Sequence, residues 1–298
     1  MKKRDAIRLV ILIVCSAIMI LHRPWSLFHP EFYFEDGYIF NAHRDSLRAF
    51  ITPYQGYYHT LPRMVAWMTS SAFLYAWLSF AGTIVVLLNL FSERIQIGEV
   101  QKCCMVLLAS CIIPTEALFN VAYFQWILGI GVVTLFLKER PTTTLQAIGD
   151  IVLICIAGLS SVFVFILFPL FLFYRRDLLF VWLVTTIIQL SAVSSISPVA
   201  GHINLLRLLS VTSHRIIDQV YRIQGHSIIV GVLYGGLATI VLYCGWRSQY
   251  ILFFVLIHLI FLVVAVPRIG EGLNSGERYY FFPCLMLLWG VVLIVPKK

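Results

Sequence analysis

The chain has 298 residues, of which 60% are hydrophobic and 12% are charged, and its net charge is +8. Soluble globular proteins carry about 25% charged residues, so this composition excludes an ordinary water-soluble domain. The basic residues occur in twos and threes in many loops, which argues against a nucleic-acid-binding surface and is typical of a chain oriented in a membrane.

Apolar runs follow one another along the whole chain, and about 20 apolar residues are enough to cross a bilayer. The runs cover residues 6–21, 64–91, 103–113, 121–137, 145–158, 162–174, 178–196, 227–246, 249–266 and 279–295. Several of them are too short to span alone. We therefore expect an all-α integral membrane protein, a polytopic helical bundle of about 8–10 transmembrane segments that forms one domain over residues 1–298.

The first run follows basic residues, as in a signal peptide, but it has no Ala-x-Ala-like cleavage site. We expect it to be an uncleaved first transmembrane helix.

The segment 145–174 decides the topology, because it is either a hairpin turning at 158–161 or one long tilted span. The number of Lys and Arg residues on each side is the same in both topologies. The hairpin, however, places Arg175, Arg176 and all six lysines on one side, next to helix ends. The positive-inside rule makes that side the cytoplasm. We therefore favour the hairpin, with both termini cytoplasmic, in a bacterial inner membrane.

In this topology the periplasmic loops hold most of the ionisable residues. These loops are 22–62, 114–120, 197–226 and 267–278, and they contain eight of the 14 acidic residues and seven of the eight histidines. Ionisable groups gathered on one membrane face indicate a functional site. Polar residues must lie in loops in any case, which explains their number but not this asymmetry. Within 197–226, apolar residues at three- and four-residue spacing predict a juxtamembrane helix.

Glu35 and Asp36 are adjacent carboxylates in an aromatic stretch that follows the first helix. Removing both from water is costly, so the pKa of one of them should rise. A carboxylate of raised pKa is suited to act as a general base on a sugar hydroxyl. The alternative is structural, with Asp36-Gly37 forming a helix cap and a turn.

Further candidate residues lie at the edges of the apolar runs. Tyr57, His59 and Arg63 precede the second run, where they either line a carbohydrate groove or act as interfacial anchors. Glu116, Asn120 and Gln125 lie at the next boundary. There they either bind substrate or form hydrogen bonds between helices.

The last periplasmic loop ends in Glu277, Arg278 and Tyr279, just where the final helix begins. An arginine at a helix N-terminus offers a fork of N–H donors to a phosphate. The alternative is that Arg278 only extends to the membrane surface. Histidines 22, 29, 43 and 59 lie near Glu31, but their spacing is irregular, so a divalent cation is at most an additional possibility.

Several short motifs occur in an order that resembles a known family. They are Glu35-Asp36-Gly37, Pro53 to Tyr57 with Leu61-Pro62-Arg63, Pro114-Thr115-Glu116, Asn120 to Trp126, residues 158–169 and Gly276 to Tyr280. Together they resemble the bacterial and phage branch of the GT-C glycosyltransferases, polytopic enzymes that use polyprenyl-phosphate sugars. The chain looks closest to glucosyltransferases that modify O-antigen or other surface polysaccharides. Many members are longer, with extra C-terminal helices or a periplasmic domain.

The resemblance implies a site and a reaction. Asp36, with Glu35 beside it, takes the family's role of catalytic base or metal-holding acid. A hexose would move from a polyprenyl-phosphate donor to a glycan acceptor with inversion, and Arg278 with Arg63 would stabilise the leaving phosphate. This mechanism requires the first and the last periplasmic loop to meet.

Two other functions are open from sequence. A transporter or flippase for a lipid-linked saccharide predicts charged or broken helices at the bilayer midplane. A non-catalytic assembly partner predicts no dependence on any single carboxylate of the periplasmic loops.

Overall fold

The computed structural model of the chain describes residues 3–32, 35–54, 58–161, 164, 167–193, 253–257 and 278–294. Within these ranges the chain is mostly helical and has no β-strand, and Ile95 and Lys138 form an isolated antiparallel bridge. The all-α expectation is therefore confirmed for the described part.

The α-helices follow the apolar runs. They are α1 Lys3–His22, α2 Pro24–Phe28, α3 Thr60–Met68, α4 Ala72–Leu88, α5 Glu99–Ile112, α6 Thr115–Leu118, α7 Phe124–Leu137, α8 Thr144–Gly158, α9 Phe168–Tyr174, α10 Leu179–Val193 and α11 Arg278–Ile294. Between them lie a π-helical turn at Glu35–Phe40 and 3₁₀ turns at Asn41–His43, Leu47–Ile51, Asn89–Phe91 and Arg176–Leu178.

The predicted apolar run 64–91 is divided into two helices. Helix α3 ends at Met68, and Thr69 and Ser71 have extended backbone conformations before α4 begins. The Ser71 hydroxyl accepts a hydrogen bond from the Leu74 N–H at 3.4 Å. Serine and threonine side chains compete with helical hydrogen bonds and are favoured as caps, which explains the break.

The chain forms two compact units, residues 1–97 with 115–197 and residues 98–114 with 198–298. In the first unit α7 is central, because all of its 14 residues are buried. It packs against α4 and α8. At Gly131 an added Cβ would lie 3.2 Å from Leu153 of α8, so the missing side chain permits close packing.

The segment 145–174 is a hairpin. Helix α8 ends at Gly158, and Arg175, just after α9, returns to donate a hydrogen bond of 2.7 Å to Asp150 of α8. Helix α10 then packs back along α8, and a Cβ on Gly158 would be 2.6 Å from the Thr185 hydroxyl. The tilted single span is therefore excluded.

In the second unit α5 packs against α11. The Trp289 indole N–H donates to the Met105 carbonyl at 3.0 Å. The Phe254 ring meets Trp289 edge-on, with ring centroids 5.8 Å apart. The predicted juxtamembrane helix of loop 197–226 and the loop 267–277 lie outside the described residues.

Two helical stretches of the described chain, Lys3–His22 and Ala72–Phe91, are long and apolar enough to cross a membrane. Phe124–Leu137, Thr144–Gly158 and Cys284–Ile294 are apolar but shorter. Large apolar side chains are exposed on several helices of the first unit: Ile7, Leu9, Val10 and Ile13 of α1, Val85 of α4, Val152 of α8, and Phe180 and Ile187 of α10.

Candidate functional site

Asp36 is held against the N-terminal end of α7. It lies in the π-helical turn Glu35–Phe40, and only 2% of its surface is exposed. One carboxylate oxygen accepts from the Ala122 N–H at 2.9 Å and the other from the Val121 N–H at 3.2 Å. Two backbone donors therefore fix the orientation of the carboxylate.

The pKa of Asp36 is raised from 3.8 to about 7. Burial is the main cause, because it penalises the charged form. The hydrogen bonds from Ala122 and Val121 lower the pKa, and the nearby Glu35 raises it further. Asp36 therefore exchanges a proton near neutral pH, which is the property that a general base needs.

Glu35 is half-buried beside Asp36. One of its carboxylate oxygens accepts a hydrogen bond from the Tyr123 hydroxyl at 2.8 Å. The other oxygen, Oε2, is buried and has no hydrogen-bond partner among the described residues. Glu35 thus offers a hydrogen-bond acceptor next to the proton-accepting carboxylate.

Three more buried polar atoms near this end of the unit have no hydrogen-bond partner within the described ranges. They are the Tyr75 hydroxyl, Nδ2 of Asn120 and Nε of Arg63. Tyr75 lies close enough to Asp36 for the two to interact electrostatically. Oδ1 of Asn120 accepts from the Ala122 N–H at 2.9 Å, in the same turn that Asp36 binds. Buried polar groups are nearly always paired, so such a concentration points to groups that a ligand satisfies.

Arg63 and His59 pack around the Phe40 ring. Arg63 donates to the Thr52 carbonyl at 3.0 Å, and its guanidinium lies 5.4 Å from the Phe40 ring centroid. The His59 ring centroid is 5.3 Å from that of Phe40 and 5.6 Å from that of Tyr54. Burial, assisted by Arg63, lowers the pKa of His59 to about 3, so its imidazole is neutral.

One hydrophobic cluster connects these groups. It contains Phe40, which Arg63 and His59 contact, together with Tyr75 and the pair Val121 and Ala122 that binds Asp36. We call this end of the first unit, defined by Glu35, Asp36, Arg63, Tyr75, Asn120 and Tyr123, the carboxylate site.

The structure brings together some of the predicted site residues. Glu35, Asp36 and Asn120 are in direct hydrogen-bonded contact with the turn before α7, and His59 and Arg63 join them through Phe40. Gln125 is buried in the first turn of α7.

Other predicted residues remain untested. Tyr57 and Glu277 lie outside the described residues. Glu116 lies in α6, and Arg278 and Tyr279 begin α11, but the positions of their side chains are outside the described part. The predicted meeting of the first and last loops therefore remains a prediction.

Sequence reasoning missed two tyrosines of the carboxylate site. Tyr75 lies inside an apolar run, where a tyrosine gives no signal of its own. Tyr123 lies in the Asn120 to Trp126 stretch, but only its hydrogen bond to Glu35 distinguishes it from an interfacial tyrosine.

A second charged cluster, also missed, lies at the other end of α7. Asp150 is 2% exposed and accepts from Arg94 at 3.0 and 2.7 Å and from Arg175 at 2.7 Å. Arg175 also donates to the Leu135 carbonyl at 2.8 Å. An acidic residue within an apolar run was the available signal, because such a residue normally has a charged partner. We call Asp150, Arg94, Arg175 and Asp177 the arginine cluster.

No three histidine, cysteine or carboxylate side chains converge as metal ligands in the part of the chain that the structure describes. Comparison with protein-family models, curated proteins and solved structures gives no significant match in any of the three. Function must therefore be inferred from the chemistry of the side chains.

Proposed function

We propose that the chain is a membrane glycosyltransferase that moves a sugar from a polyprenyl-phosphate donor to a glycan acceptor. The observation that carries the proposal is the carboxylate site. A buried aspartate with a pKa of about 7 lies beside several buried polar atoms that have no partner among the described residues. This combination suits a proton transfer next to bound hydroxyl groups.

In the proposed reaction Asp36 removes the proton of an acceptor hydroxyl. The hydroxyl oxygen then forms a bond to the anomeric carbon of the sugar, while the bond from that carbon to the phosphate oxygen breaks. The electron pair leaves with the polyprenyl phosphate, and the anomeric configuration inverts. From the described residues each Asp36 oxygen accepts one backbone N–H, so each keeps a lone pair for the proton.

The sugars would bind through the other groups of the carboxylate site. Oε2 of Glu35 accepts a hydrogen bond, Nδ2 of Asn120 donates one, and the Tyr75 hydroxyl can do either. Arg63 would stabilise the negative charge of the leaving phosphate.

The exposed apolar side chains of α1, α4, α8 and α10 support a location in a lipid bilayer, because large apolar patches are rare on soluble monomers. We infer a GT-C-like bundle of about 8–10 transmembrane segments, with the carboxylate site at the periplasmic face of a bacterial inner membrane. Both termini would be cytoplasmic. The acceptor would be O-antigen or another surface polysaccharide, and the sugar a hexose such as glucose.

Replacement of Asp36 tests the proposal. Asp36→Asn keeps the shape of the side chain but cannot take the proton, and loss of a general base lowers rates by about 10²–10⁴-fold. We expect a loss of that size in sugar transfer from a polyprenyl-phosphate donor in membranes. Asp45→Asn is the matched control, because Asp45 lies in the same loop and its side chain is 93% exposed. Equal rates in both variants, at equal amounts of folded protein, would end the assignment of Asp36 as the base.

Cysteine labelling tests the proposed topology. Ser46 is exposed near the carboxylate site, and Thr142 is exposed in the loop that follows α7. Ser46→Cys should react with a membrane-impermeant maleimide from the periplasm and Thr142→Cys only from the cytoplasm. The unsubstituted chain measures the background from its native cysteines. Labelling of both positions from one side would contradict the topology.

A transporter or flippase for a lipid-linked saccharide is the second candidate. It is favoured by a largely apolar groove that runs between α4, α7 and α8 from Leu61, near the carboxylate site, to Lys138 at the other end of α7. Reconstitution into liposomes separates the candidates. Movement of a labelled lipid-linked sugar between leaflets without sugar transfer would select the transporter.

A further inference from the structure

The groove along α7 has the size of a ligand site. Its volume is about 470 Å³, within the roughly 300–1,000 Å³ typical of small-molecule sites. Its walls are apolar and come from three helices, with Val86 from α4, Leu128 from α7 and Leu153 from α8. From Gly82 of α4 to Asn89, just after that helix, the groove extends over seven residue steps, about 10 Å at 1.5 Å per residue.

The groove opens sideways, toward the surface that we assign to the bilayer. Val85 and Val152 line it and are 59% and 47% exposed. Gly149 also lines it, and a Cβ added there would meet no atom of the described residues within 4 Å. The space is therefore accessible from the side and is not a void inside a packed core.

One end of the groove is polar. It is lined by Asn89, Ser92, Arg94, Lys138, Gln146 and Asp150. The Lys138 ammonium donates to the Asn89 side-chain oxygen at 2.7 Å and lies 4.0 Å from the Asp150 carboxylate. An ammonium has three N–H donors, so the two that this hydrogen bond does not use can bind an anion.

The charges at this end leave a positive excess. Within the ion-pair network the three cations Arg94, Lys138 and Arg175 outnumber the two anions Asp150 and Asp177 by one. The arginines are held by Asp150, Asp177 and backbone carbonyls, so the excess charge is available at Lys138.

The electrostatics of Lys138 favour the binding of an anion. Burial lowers the pKa of Lys138 to about 8, and Arg94 and Arg175 lower it as well, while Asp150 acts in the opposite direction. A lysine whose charge is only partly compensated is stabilised by an anionic ligand.

We propose that this groove binds one hydrocarbon chain of an anionic glycerophospholipid, with the lipid phosphate against Lys138. The apolar walls accept the chain, the side opening admits it from the bilayer, and the positive end selects the anionic headgroup. The polar end of the groove, where the phosphate would bind, lies at the end of α7 opposite to the carboxylate site. The proposed lipid binding requires that the protein lies in a membrane, but it does not require the proposed sugar transfer.

The full chain, purified in detergent, tests the proposal through its thermal unfolding with added lipid. Phosphatidylglycerol should raise the unfolding temperature, and phosphatidylcholine and inorganic phosphate should raise it less. Gly149→Phe fills the open space of the groove and should abolish the preference for phosphatidylglycerol. Phenylalanine is at least as good a helix former as glycine, so α8 itself should not be weakened. Ile148→Phe is the matched control, because Ile148 is exposed on α8 and does not line the groove.

Lys138→Gln tests the headgroup separately. Loss of a charge-assisted hydrogen bond should weaken the apparent affinity for phosphatidylglycerol by about tenfold. Equal stabilisation by phosphatidylglycerol and phosphatidylcholine would overturn the proposal. The proposal would also be overturned if phosphatidylglycerol raised the unfolding temperature of Gly149→Phe as much as that of Ile148→Phe. A rise with inorganic phosphate as large as that with phosphatidylglycerol would overturn it as well. The unfolding assay involves no sugar transfer, so a negative result in it leaves the proposed enzyme activity standing. A negative result in the sugar-transfer assay likewise leaves the proposed lipid site standing.

Discussion

The two ends of α7 each hold a buried aspartate, and the two aspartates have opposite environments. Asp36 and Asp150 are both only 2% exposed. Asp150 is bound by the guanidinium groups of Arg94 and Arg175, so its negative charge is compensated. Asp36 accepts hydrogen bonds from two backbone N–H groups and has a second carboxylate, Glu35, beside it.

This difference separates a structural carboxylate from a reactive one. Two arginines keep Asp150 ionised. Their hydrogen bonds to it connect α8 with the loop after α4, through Arg94, and with the end of α9, through Arg175. Asp36 has no such cation bound to it in the described part of the chain, and burial brings its pKa to about 7. Burial alone therefore does not indicate function; the partners of the buried charge do.

The largest effect on stability should come from Asp150. Asp150→Asn leaves the buried Arg175 and the partly buried Arg94 without their shared anion, and breaking a buried ion pair in this way costs about 3–5 kcal/mol. We expect a strong fall in thermal stability, with unchanged sugar transfer per folded molecule. The measurement is unfolding in detergent together with transfer activity. Asp177→Asn is the control, because Asp177 contacts only Arg175 of the two and is partly exposed. An Asp150 variant as stable as the Asp177 variant would remove the structural half of the comparison.

The contribution of Asp36 to the stability of the folded protein should depend on pH. The pKa of Asp36 is raised in the folded protein, so the folded state binds its proton more tightly than the unfolded state. The stability contribution of Asp36 is then fully present below about pH 4 and is lost as the pH rises through about 7. Thermal unfolding of the parent chain, compared with Asp36→Asn at each pH, measures this contribution. A difference between the two proteins that does not change over this range would contradict the raised pKa.

A smaller effect is expected from Tyr123. Tyr123→Phe removes one hydrogen bond to Glu35, which typically contributes about 0.5–1.5 kcal/mol. We expect a small loss of stability and a several-fold reduction in sugar transfer, because Glu35 would lose its orientation. Tyr38→Phe serves as the comparison variant, since Tyr38 is exposed and lies in the same π-helical turn as Glu35. If both variants transfer sugar equally well, the orientation of Glu35 by Tyr123 does not matter for the reaction.

The sequence predicted the helical class and the Glu35-Asp36 candidates, because apolar runs and adjacent carboxylates are local patterns. The hairpin at 145–174 followed from the positions of Arg175 and Arg176. In contrast, the pairing of Asp36 with the backbone of Val121 and Ala122 joins residues 85 and 86 positions apart. No local pattern encodes such a contact.

The roles of Tyr75 and Asp150 were hidden for the same reason. Tyr75 approaches Asp36 only because α4 packs against the segment before α7. Asp150 meets Arg94 and Arg175 only after α8 and α9 have formed their hairpin. The break between α3 and α4 was readable in principle, since Thr69, Ser70 and Ser71 favour caps over helix interior, but a continuous apolar composition concealed it.

The pH dependence of sugar transfer by the parent chain tests the reactive role of Asp36 most directly. If Asp36 must be ionised to take the acceptor proton, the rate should rise with pH and reach half its maximum near pH 7, the pKa given by its burial. Asp45→Asn should follow the same curve. A rate that stays constant from about pH 5 to about pH 9, where an ordinary aspartate is fully ionised, would contradict the account.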